Sequence, residues 1–334
     1  MPSHATSPGT AIESKIRRTL PFLYAWYRKN HRPLPWRTRP TPYRTAVAEF
    51  MCQQTRITTV IPYYRRWLKI FPSWQKLARA PAARVLRMWE GLGYYRRARF
   101  LHALAKAVIR LPGKDLPSDP QALRSLPGIG DYTAGAIASI AFGKAAPAFD
   151  GNVARVLGRL AAKNGKAPTL AVLRDLAGRM VPTSNPGLHN QALMELGALI
   201  CLPKKPRCAL CPIQRACPSS PHLPLAPSRK RPTPTLQYEF ILLPKRKRKI
   251  WLTRTHPLGR WRGLHCLPVV PHPPKGEGRA RISYAFTRYQ VQADVFVVPR
   301  PPPGTTGRWL GPAQLRKVAM PAPHRKILHQ LGFG

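Results

Sequence analysis

The sequence predicts a mostly α-helical protein in which an all-α domain is followed by a smaller α+β domain. Up to Cys217, apolar residues recur with the period of a helix and no segment alternates like a strand. After a stretch rich in proline, serine and basic residues, the pattern changes to the alternation typical of strands. We expect a helical domain over residues 11–217, a linker over 218–235 and an α+β domain over 236–334, with residues 1–10 disordered.

The charge of the chain is its most unusual compositional feature. The 334 residues include 56 Lys and Arg against 12 Asp and Glu, which gives a net charge of +44. Such a surface binds polyanions, and nucleic acid is the natural candidate. The 40 prolines also fit the alternative of a biased genome. Because acids are scarce, a carboxylate in an apolar segment stands out.

The compartment follows from what the sequence lacks. No apolar run approaches the roughly 18 residues that span a bilayer, and the stretch from Met1 to His4 does not resemble the start of a signal peptide. We therefore expect a soluble, intracellular protein with no membrane partner. As a separate prediction, we place it in the cytoplasm of a bacterium, in association with the nucleoid.

A glycine turn at Leu126–Gly130 is followed by a small-residue apolar run of helical length and then by Asp150 and Asn152. Gly128 and Gly130 permit a turn tight enough for the backbone to touch a phosphate. The free N–H groups of the following helix would then point at that phosphate. A glycine turn alone is a weak signal, because most such turns only reverse the chain.

Glu49 lies within an apolar helical segment, beside Phe50 and Met51. Burial there would raise the pKa of its carboxyl group, which suits a general acid near neutral pH. The alternative is a helix carboxylate paired with an arginine such as Arg44. Gln54, close behind, is long enough to reach into a base stack, although a solvated glutamine is the simpler interpretation.

Two loops present aromatic and basic side chains together. Trp36 and Arg37 follow a proline-rich turn, where the tryptophan could instead cap the core. Gly91–Arg97 combines glycines, tyrosines and arginines, which suits contact with a nucleic-acid backbone and bases. Tyrosines in such loops more often fill the core.

Four of the six cysteines cluster with the spacing Cys-x6-Cys-x2-Cys-x5-Cys, namely Cys201, Cys208, Cys211 and Cys217. An intracellular chain should not hold them as disulfides, so the cluster indicates a metal site. Structural zinc sites usually have two close pairs, whereas only Cys208 and Cys211 are close here. The spacing differs from ferredoxin runs and resembles the [4Fe-4S] loop of endonuclease III and the adenine glycosylases. We therefore favour iron–sulfur over zinc.

The α+β domain should begin with strands over 236–243 and 250–253, joined by the basic run 245–249. This run could be a localisation signal, but we favour a solvated hairpin tip facing DNA. One or two strands should cover 282–298, and short helices should lie near 312–318 and 323–331.

These motifs together resemble the MutY-type adenine DNA glycosylases, members of the helix-hairpin-helix/Gly-Pro-Asp superfamily. The resemblance starts near residue 12 and rests on Leu34–Arg37, Glu49–Thr55, Gly91–Tyr95, Leu126–Gly130, Asp150–Val153, Asn190–Ala192 and the four cysteines. Gly259–Leu264 and Phe286–Arg288 resemble the Nudix-like recognition domain of that family.

The resemblance implies excision of adenine mispaired with 8-oxoguanine or guanine in double-stranded DNA. The adenine must leave the stack to be reached. By resemblance, Trp36, Arg37 and Gln191 line its pocket, and Gln54 and Tyr94 wedge into the duplex. The hairpin Phe286, Thr287 and Arg288 would read the damaged base. We expect a monomer that carries a [4Fe-4S] cluster on the four cysteines.

The resemblance also assigns the chemistry. Glu49 would protonate adenine at N7, and Asp150 would stabilise the positive charge of an oxocarbenium-like sugar. Tyr132 and Asn152 would orient the acid, the water or the carboxylate.

The sequence departs from the family pattern in three places. Cys52 stands where the family usually has leucine, which makes a milder wedge. The segment between Val270 and Ile282 is too short for the helix of Nudix folds, and no paired glutamates are present, so pyrophosphatase activity is not expected. Arg288 replaces the usual histidine of the loop that reads 8-oxoguanine, so discrimination should weaken.

Two other functions compete with this interpretation. An endonuclease III-like lyase needs an amine that forms a Schiff base, and where those relatives carry it this chain has Tyr132. We therefore expect a monofunctional enzyme or one with weak lyase activity. A catalytically inactive iron–sulfur DNA-binding protein is the other alternative, but Glu49 and Asp150 in so acid-poor a chain count against it.

Overall fold

The computed structural model describes residues 8–218 and 233–333. The chain divides into two compact units, Met1–Gln54 with Ala107–Lys230, and Thr55–Lys106 with Arg231–Gly334. The second unit joins a helical segment to the C-terminal region.

The helical part of the chain alternates long helices with short loops. In order, its helices are α1 (Pro8–Asn30), α2 (Pro42–Cys52), α3 (Ile57–Ile70), α4 (Trp74–Ala78), α5 (Ala82–Trp89), α6 (Arg96–Val108), α7 (Pro120–Arg124), α8 (Asp131–Phe142), α9 (Gly151–Leu160), α10 (Leu170–Met180) and α11 (Pro186–Leu199). Two short 3-10 turns, Cys208–Leu210 and Gln214–Ala216, follow in the cysteine loop.

The first unit is built around the buried faces of α1, α9, α10 and α11. Leu23, Leu157, Met180 and Leu196 are almost inaccessible to solvent and belong to one apolar cluster. The α9 helix is amphipathic, so burial of its apolar face fixes which of its residues face outward. This core holds the start of α9, where Asp150 lies.

Glycines allow the helices around Asp150 to approach closely. A Cβ atom on Gly135 of α8 would lie 1.9 Å from the carbonyl oxygen of Pro147. A Cβ atom on Gly197 of α11 would lie 2.6 Å from the Cβ atom of Asn152. Larger side chains at these positions would therefore displace the segment that carries Asp150.

The buried side chain of Asn190 ties α11 to the same segment. Its amide nitrogen donates to the hydroxyl of Ser139 and to the carbonyl of Ala146, both at 2.8 Å, and its oxygen accepts from the N–H of Ala148 at 3.1 Å. A buried amide is costly when left without partners. This set of bonds therefore holds the segment that leads from Ala146 to Asp150 in place.

The second unit combines α3–α6 with a mixed sheet. The strands are β1 (Thr235–Arg246), β2 (Lys249–Thr253), β3 (Val269–Val270), β4 (Ala280–Phe286), β5 (Tyr289–Val298) and β6 (Gly307–Leu310), followed by helices α12 (Pro312–Lys317) and α13 (Ala322–Gln330). The sheet order is β4-β5-β1-β2-β6, with β3 paired to β1. β1 and β5 are parallel, and the other pairs are antiparallel.

Apolar side chains of the sheet pack against α13. Ile241, Leu243 and Val295 of the sheet are inaccessible to solvent, and so are Ile327 and Leu328 of the helix. Ile241 and Leu243 of β1 lie on one face of the sheet, because successive side chains of a strand point to opposite faces. Leu242 between them is buried as well.

The predicted fold class, a mostly helical chain with a smaller α+β region, is confirmed. Arg246 pairs with Lys249, so the basic run 245–249 does form a hairpin. Helix α4 and the short strands β3 and β6 were not predicted, because elements of five residues or fewer leave little periodic signal. The extents of the predicted domains stay a prediction, and most of the predicted linker lies outside the described residues.

The prediction of disorder over residues 1–10 was wrong for its last three residues. Helix α1 begins at Pro8, which is consistent with the preference of proline for the first turn of a helix. The expected disorder of the remaining residues falls outside the described ranges. No helix within those ranges combines the length and hydrophobicity needed to cross a membrane.

Candidate active site

Glu49 lies on α2 and is largely shielded from solvent. Burial raises the pKa of its carboxyl group to about 7, although the hydrogen bond from Tyr132 lowers it. The charge of Asp150 adds to the increase, and the charge of Arg37 opposes it. The hydrogen-bond partner is thus Tyr132, not the Arg44 considered as an alternative. A carboxyl group with this pKa is a proton donor at neutral pH.

Tyr132 lies in the first turn of α8, two residues after the glycine hairpin. Its hydroxyl forms a hydrogen bond with Glu49 and lies 3.4 Å from the sulfur of Met194. Burial, together with the carboxylates of Glu49 and Asp150, raises the pKa of Tyr132 well above its ordinary value. The phenol therefore stays neutral and can donate a hydrogen bond.

Asp150 is the N-cap of α9 and both of its oxygens have partners. Oδ1 accepts from the N–H groups of Asn152 at 2.9 Å and Val153 at 2.7 Å, and Oδ2 accepts from Nδ2 of Asn152 at 2.8 Å. Three donors at the N-terminus of α9 therefore hold the side chain of Asp150 in place. The carboxylate is thus fixed in orientation, and its remaining lone pairs can still interact with a cation.

Arg155 connects this cap to the cysteine loop. Its guanidinium donates to Oδ1 of Asn152 and to the carbonyls of Gly197 and Cys201, each at 2.7 Å. The Asn152 amide is therefore held from both sides, by Asp150 and by Arg155.

Arg37 belongs to a buried ionic cluster centred on Glu195 of α11. Glu195 accepts from Arg37 at 2.8 Å and from the side chain and backbone of Arg32 at 2.8 Å. Burial alone would raise the pKa of Glu195, but these hydrogen bonds outweigh it and lower the pKa to about 2.

The same cluster includes Gln191, one helical turn before Glu195. The hydroxyl of Tyr27 donates to its side-chain oxygen at 3.2 Å, and the guanidinium of Arg37 lies 5.5 Å above the ring of Tyr27. Sequence reasoning missed Glu195, Arg32 and Tyr27. Glu195 could have been found from the sequence, because the chain has few acidic residues and this one follows the Asn190–Ala192 motif by about one helical turn.

The other predicted pocket and wedge residues are at or near the surface. Trp36 is partly exposed in the turn between α1 and α2. Gln54 and Tyr94 are exposed, and both have left-handed backbone conformations, with φ of 53° and 48°. Non-glycine residues rarely adopt this conformation, so the backbone of each of the two loops is unusual at this position.

The glycine turn forms as predicted between α7 and α8. Gly128 has φ of 77°, which favours glycine, and Gly130 is the N-cap of α8. Space around a Cβ atom on Gly130 is open, so a ligand could approach its backbone. Asp131 in the first turn pairs with Arg124 at 2.8 Å.

The four cysteines of the loop are not joined by disulfide bonds. Cys201, Cys211 and Cys217 pack against the same apolar cluster. Burial raises the pKa of Cys211 to about 11, and the other three cysteines add to the increase. Arg159 donates to the sulfur of Cys201 at 3.1 Å. Within 8–218 and 233–333, no three His, Cys, Asp or Glu side chains are grouped so that they could hold a metal ion.

The hairpin between β4 and β5 carries Phe286, Thr287 and Arg288. Phe286 pairs with Tyr289 in the ladder, and Thr287 and Arg288 are exposed at the turn. The guanidinium of Arg288 lies 5.2 Å above the ring of Tyr289 and donates to its hydroxyl at 3.0 Å. The side chain is thus held against the hairpin by its neighbour.

Comparison with known proteins shows the family to which the chain belongs. The family model for the HhH-GPD superfamily of base excision DNA repair proteins matches residues 47–180. An adenine DNA glycosylase from Buchnera aphidicola subsp. Baizongia pistaciae (strain Bp) is 36% identical over 250 residues, which cover 73% of this chain and 71% of that protein. This chain belongs to the adenine DNA glycosylase family. The resemblance to the adenine DNA glycosylases and to the helix-hairpin-helix/Gly-Pro-Asp superfamily is therefore confirmed.

Other relatives extend the similarity along the chain. An adenine DNA glycosylase from Rattus norvegicus is 37% identical over 326 residues and matches 92% of this chain, which covers 63% of the length of the rat protein. Among solved structures, a thermostable thymine-DNA glycosylase aligns with a TM-score of 0.57 and 28% identity, over 62% of this chain and 97% of that one. The fold of the helical part is therefore that of a DNA glycosylase.

Proposed function

We propose that this protein is an adenine DNA glycosylase that hydrolyses the N-glycosidic bond of adenine mispaired with 8-oxoguanine or guanine. One observation carries this proposal. Glu49, whose pKa is raised to about 7, interacts electrostatically with Asp150, whose carboxylate is held by hydrogen bonds. Cleavage of a glycosidic bond requires one group that donates a proton and a second, separate carboxylate.

Glu49 is the acid in this proposal. Adenine extruded from the duplex would receive the Glu49 proton at N7, which turns a poor leaving group into a good one. Tyr132 fixes the orientation of the Glu49 carboxyl group and stays neutral throughout. As the bond breaks, the electron pair leaves with the protonated base.

Asp150 stabilises the sugar that remains. Positive charge develops on an oxocarbenium-like sugar, and a preoriented carboxylate stabilises it without reorganising. Asn152 holds one carboxylate oxygen through its amide, so the orientation persists through the reaction. Water then adds to the sugar and leaves an abasic site.

The adenine pocket would be formed by Trp36, Arg37 and Gln191. Glu195 fixes the guanidinium of Arg37, and Tyr27 fixes the side chain of Gln191. These contacts preorganise both groups, which lowers the entropy cost of binding the base. Gln54 and Tyr94 are proposed as the wedges that enter the duplex, and the backbone of Gly128 and Gly130 as a phosphate contact.

We propose a [4Fe-4S] cluster on Cys201, Cys208, Cys211 and Cys217. The donor set supports this assignment, since four cysteine thiolates are the ligands that hold [4Fe-4S] clusters. Their spacing, Cys-x6-Cys-x2-Cys-x5-Cys, has only one close pair, whereas structural zinc sites usually have two. A cluster bound there would cross-link the loop, and Arg159, which donates to the sulfur of Cys201, would offset part of the thiolate charge.

The C-terminal sheet would be a Nudix-like recognition domain in a monomeric, cytoplasmic bacterial protein. Phe286, Thr287 and Arg288 are proposed to read the base opposite the adenine. The exposure of Thr287 and Arg288 supports this role, since a reading loop must reach the duplex.

An assay of base release tests the proposal. Duplexes with adenine opposite 8-oxoguanine, guanine or thymine are incubated with enzyme, and strands are analysed with and without alkali. We expect cleavage of the first two only, and only after alkali. Efficient nicking without alkali would favour the lyase instead, and release of other bases in place of adenine would contradict the proposal.

A further inference from the structure

Beneath the Phe286–Arg288 hairpin lies a buried ion pair that no proposed step uses. Arg260 and Glu239 are only 4% and 3% exposed in their side chains, and a guanidinium nitrogen lies 2.6 Å from Oε1 of Glu239. The hydroxyl of Tyr284 donates to Oε2 of the same carboxylate at 2.5 Å. Arg260 also donates to Gln237.

The guanidinium of Arg260 contacts the two aromatic rings at the base of the hairpin. It lies 4.7 Å from the centroid of Phe286 and 5.3 Å from that of Tyr289. These two residues are direct cross-strand partners. Arg288 lies over the ring of Tyr289 as well, so Tyr289 connects the buried arginine to the exposed one.

Two unusual backbone conformations flank this contact. Trp261 has φ of 52°, and Thr287 at the hairpin tip has φ of 53°. Such values are uncommon for a bulky or β-branched residue and persist only where the surroundings impose them. Trp261 is packed among the rings of His256, Tyr284, Phe286 and His324.

Stability alone is a weak reason for such a pair. A buried ion pair often contributes no more than apolar residues of similar volume would. The burial of two charges is better explained by the geometry that the pair imposes. A guanidinium fixed by a carboxylate holds the rings of Phe286 and Tyr289 at defined positions.

We propose that Arg260 is a positioning residue for recognition of the base opposite adenine. Anchored by Glu239, it fixes the Phe286–Tyr289 pair and thereby the placement of Thr287 and Arg288 at the hairpin tip. This inference rests on the proposed function of the hairpin.

The test uses the full chain with the double substitution Arg260→Met and Glu239→Gln. It removes the guanidinium without leaving a buried carboxylate unpaired, and glutamine can still accept from Tyr284. Phe286→Leu, which removes the ring and leaves the ion pair intact, is the second variant. Arg281→Met is the matched control, because Arg281 is an exposed arginine on the same strand as Phe286.

Two measurements are made on each variant. Hydrogen exchange of the peptide covering 284–291 reports the order of the hairpin without reference to activity. Single-turnover adenine release opposite 8-oxoguanine and opposite guanine reports recognition, with melting curves recorded alongside.

We expect hairpin exchange to rise at least tenfold in the double variant and in Phe286→Leu, and not in Arg281→Met. The rate opposite 8-oxoguanine should fall at least fivefold in both variants while the control keeps the parent rate. Unchanged hairpin exchange in a folded double variant would overturn the inference, as would equal effects in the control. Failure of the parent to release adenine would instead refute the proposed function.

Discussion

Arg155 donates a hydrogen bond to the side-chain oxygen of Asn152 at 2.7 Å, and Asn152 in turn donates to the carboxylate of Asp150 at 2.8 Å. The orientation of the amide is thereby defined, since its oxygen must face Arg155 and its nitrogen must face Asp150. The carboxylate proposed to stabilise the sugar is thus held by a residue that also binds the carbonyl of Cys201.

Arg155→Met should slow base release by about tenfold, the effect of one or two lost hydrogen bonds, because the amide of Asn152 is then free to rotate. Duplex affinity should stay close to that of the parent. Single-turnover rates and binding at fixed salt measure the two effects, with exposed Lys69→Met as the charge-matched control. Equal loss of affinity in both variants and no loss of rate would show that Arg155 contributes only charge.

The raised pKa of Glu49 predicts a pH-dependent rate. If protonated Glu49 is the acid, the rate of base release should fall about tenfold per pH unit above pH 7, since the pKa of Glu49 is about 7. Single-turnover rates between pH 6 and 9, with duplex affinity measured at each pH, provide the check. A flat profile at constant affinity would rule out Glu49 as the proton donor.

The same pKa predicts how Glu49→Gln changes stability. The folded-state pKa lies above the unfolded value of about 4.3, so the bound proton stabilises the fold at low pH and this stability is lost as the pH rises through 7. Glutamine does not ionise. The variant should therefore melt at a higher temperature than the parent at pH 8, with the difference disappearing near pH 4.

The cysteine loop predicts an iron content. Anaerobically purified protein should be brown, with broad visible absorbance and four irons per chain, and Cys208→Ser should lose them. Cys52→Ser is the matched control, because Cys52 lies on α2 outside the loop and should keep the iron. Stoichiometric zinc without iron in the parent would overturn the assignment.

Arg288 predicts weak discrimination between opposing bases. Neutral histidine can both accept and donate hydrogen bonds, whereas arginine only donates. The parent should excise adenine opposite guanine nearly as well as opposite 8-oxoguanine. Arg288→His should widen the gap by about 1 kcal/mol, or about fivefold. If single-turnover rates show the same preference in both proteins, discrimination must come from elsewhere.

The sequence revealed the parts of the site that depend on local motifs. The apolar helix around Glu49 and the turn at Gly128 were each predicted from a pattern of a few residues, and the structure contains both. The N-cap role of Asp150 was not predicted and is seen only in the structure. The fold class followed from periodicity for the same reason.

The periodicity of apolar residues does not predict contacts between residues that are far apart in the chain. Glu195 binds Arg32 and Arg37, which lie 163 and 158 residues away in the chain, and no local pattern couples such positions. The parallel pairing of β1 with β5 and the pair of Arg260 with Glu239 were missed for the same reason. The glycine at 197 had no visible role until its close approach to Asn152 was seen.

In the proposed mechanism, Glu49 and Asp150 together release adenine. The most direct measurement is the single-turnover yield of free adenine from a duplex with adenine opposite 8-oxoguanine, for the parent, Glu49→Gln and Asp150→Asn. We predict full release by the parent and rates lower by about a hundredfold or more in each variant, with duplex affinity largely retained because the basic surface supplies most of it. Release by either variant at a rate near that of the parent would contradict the account.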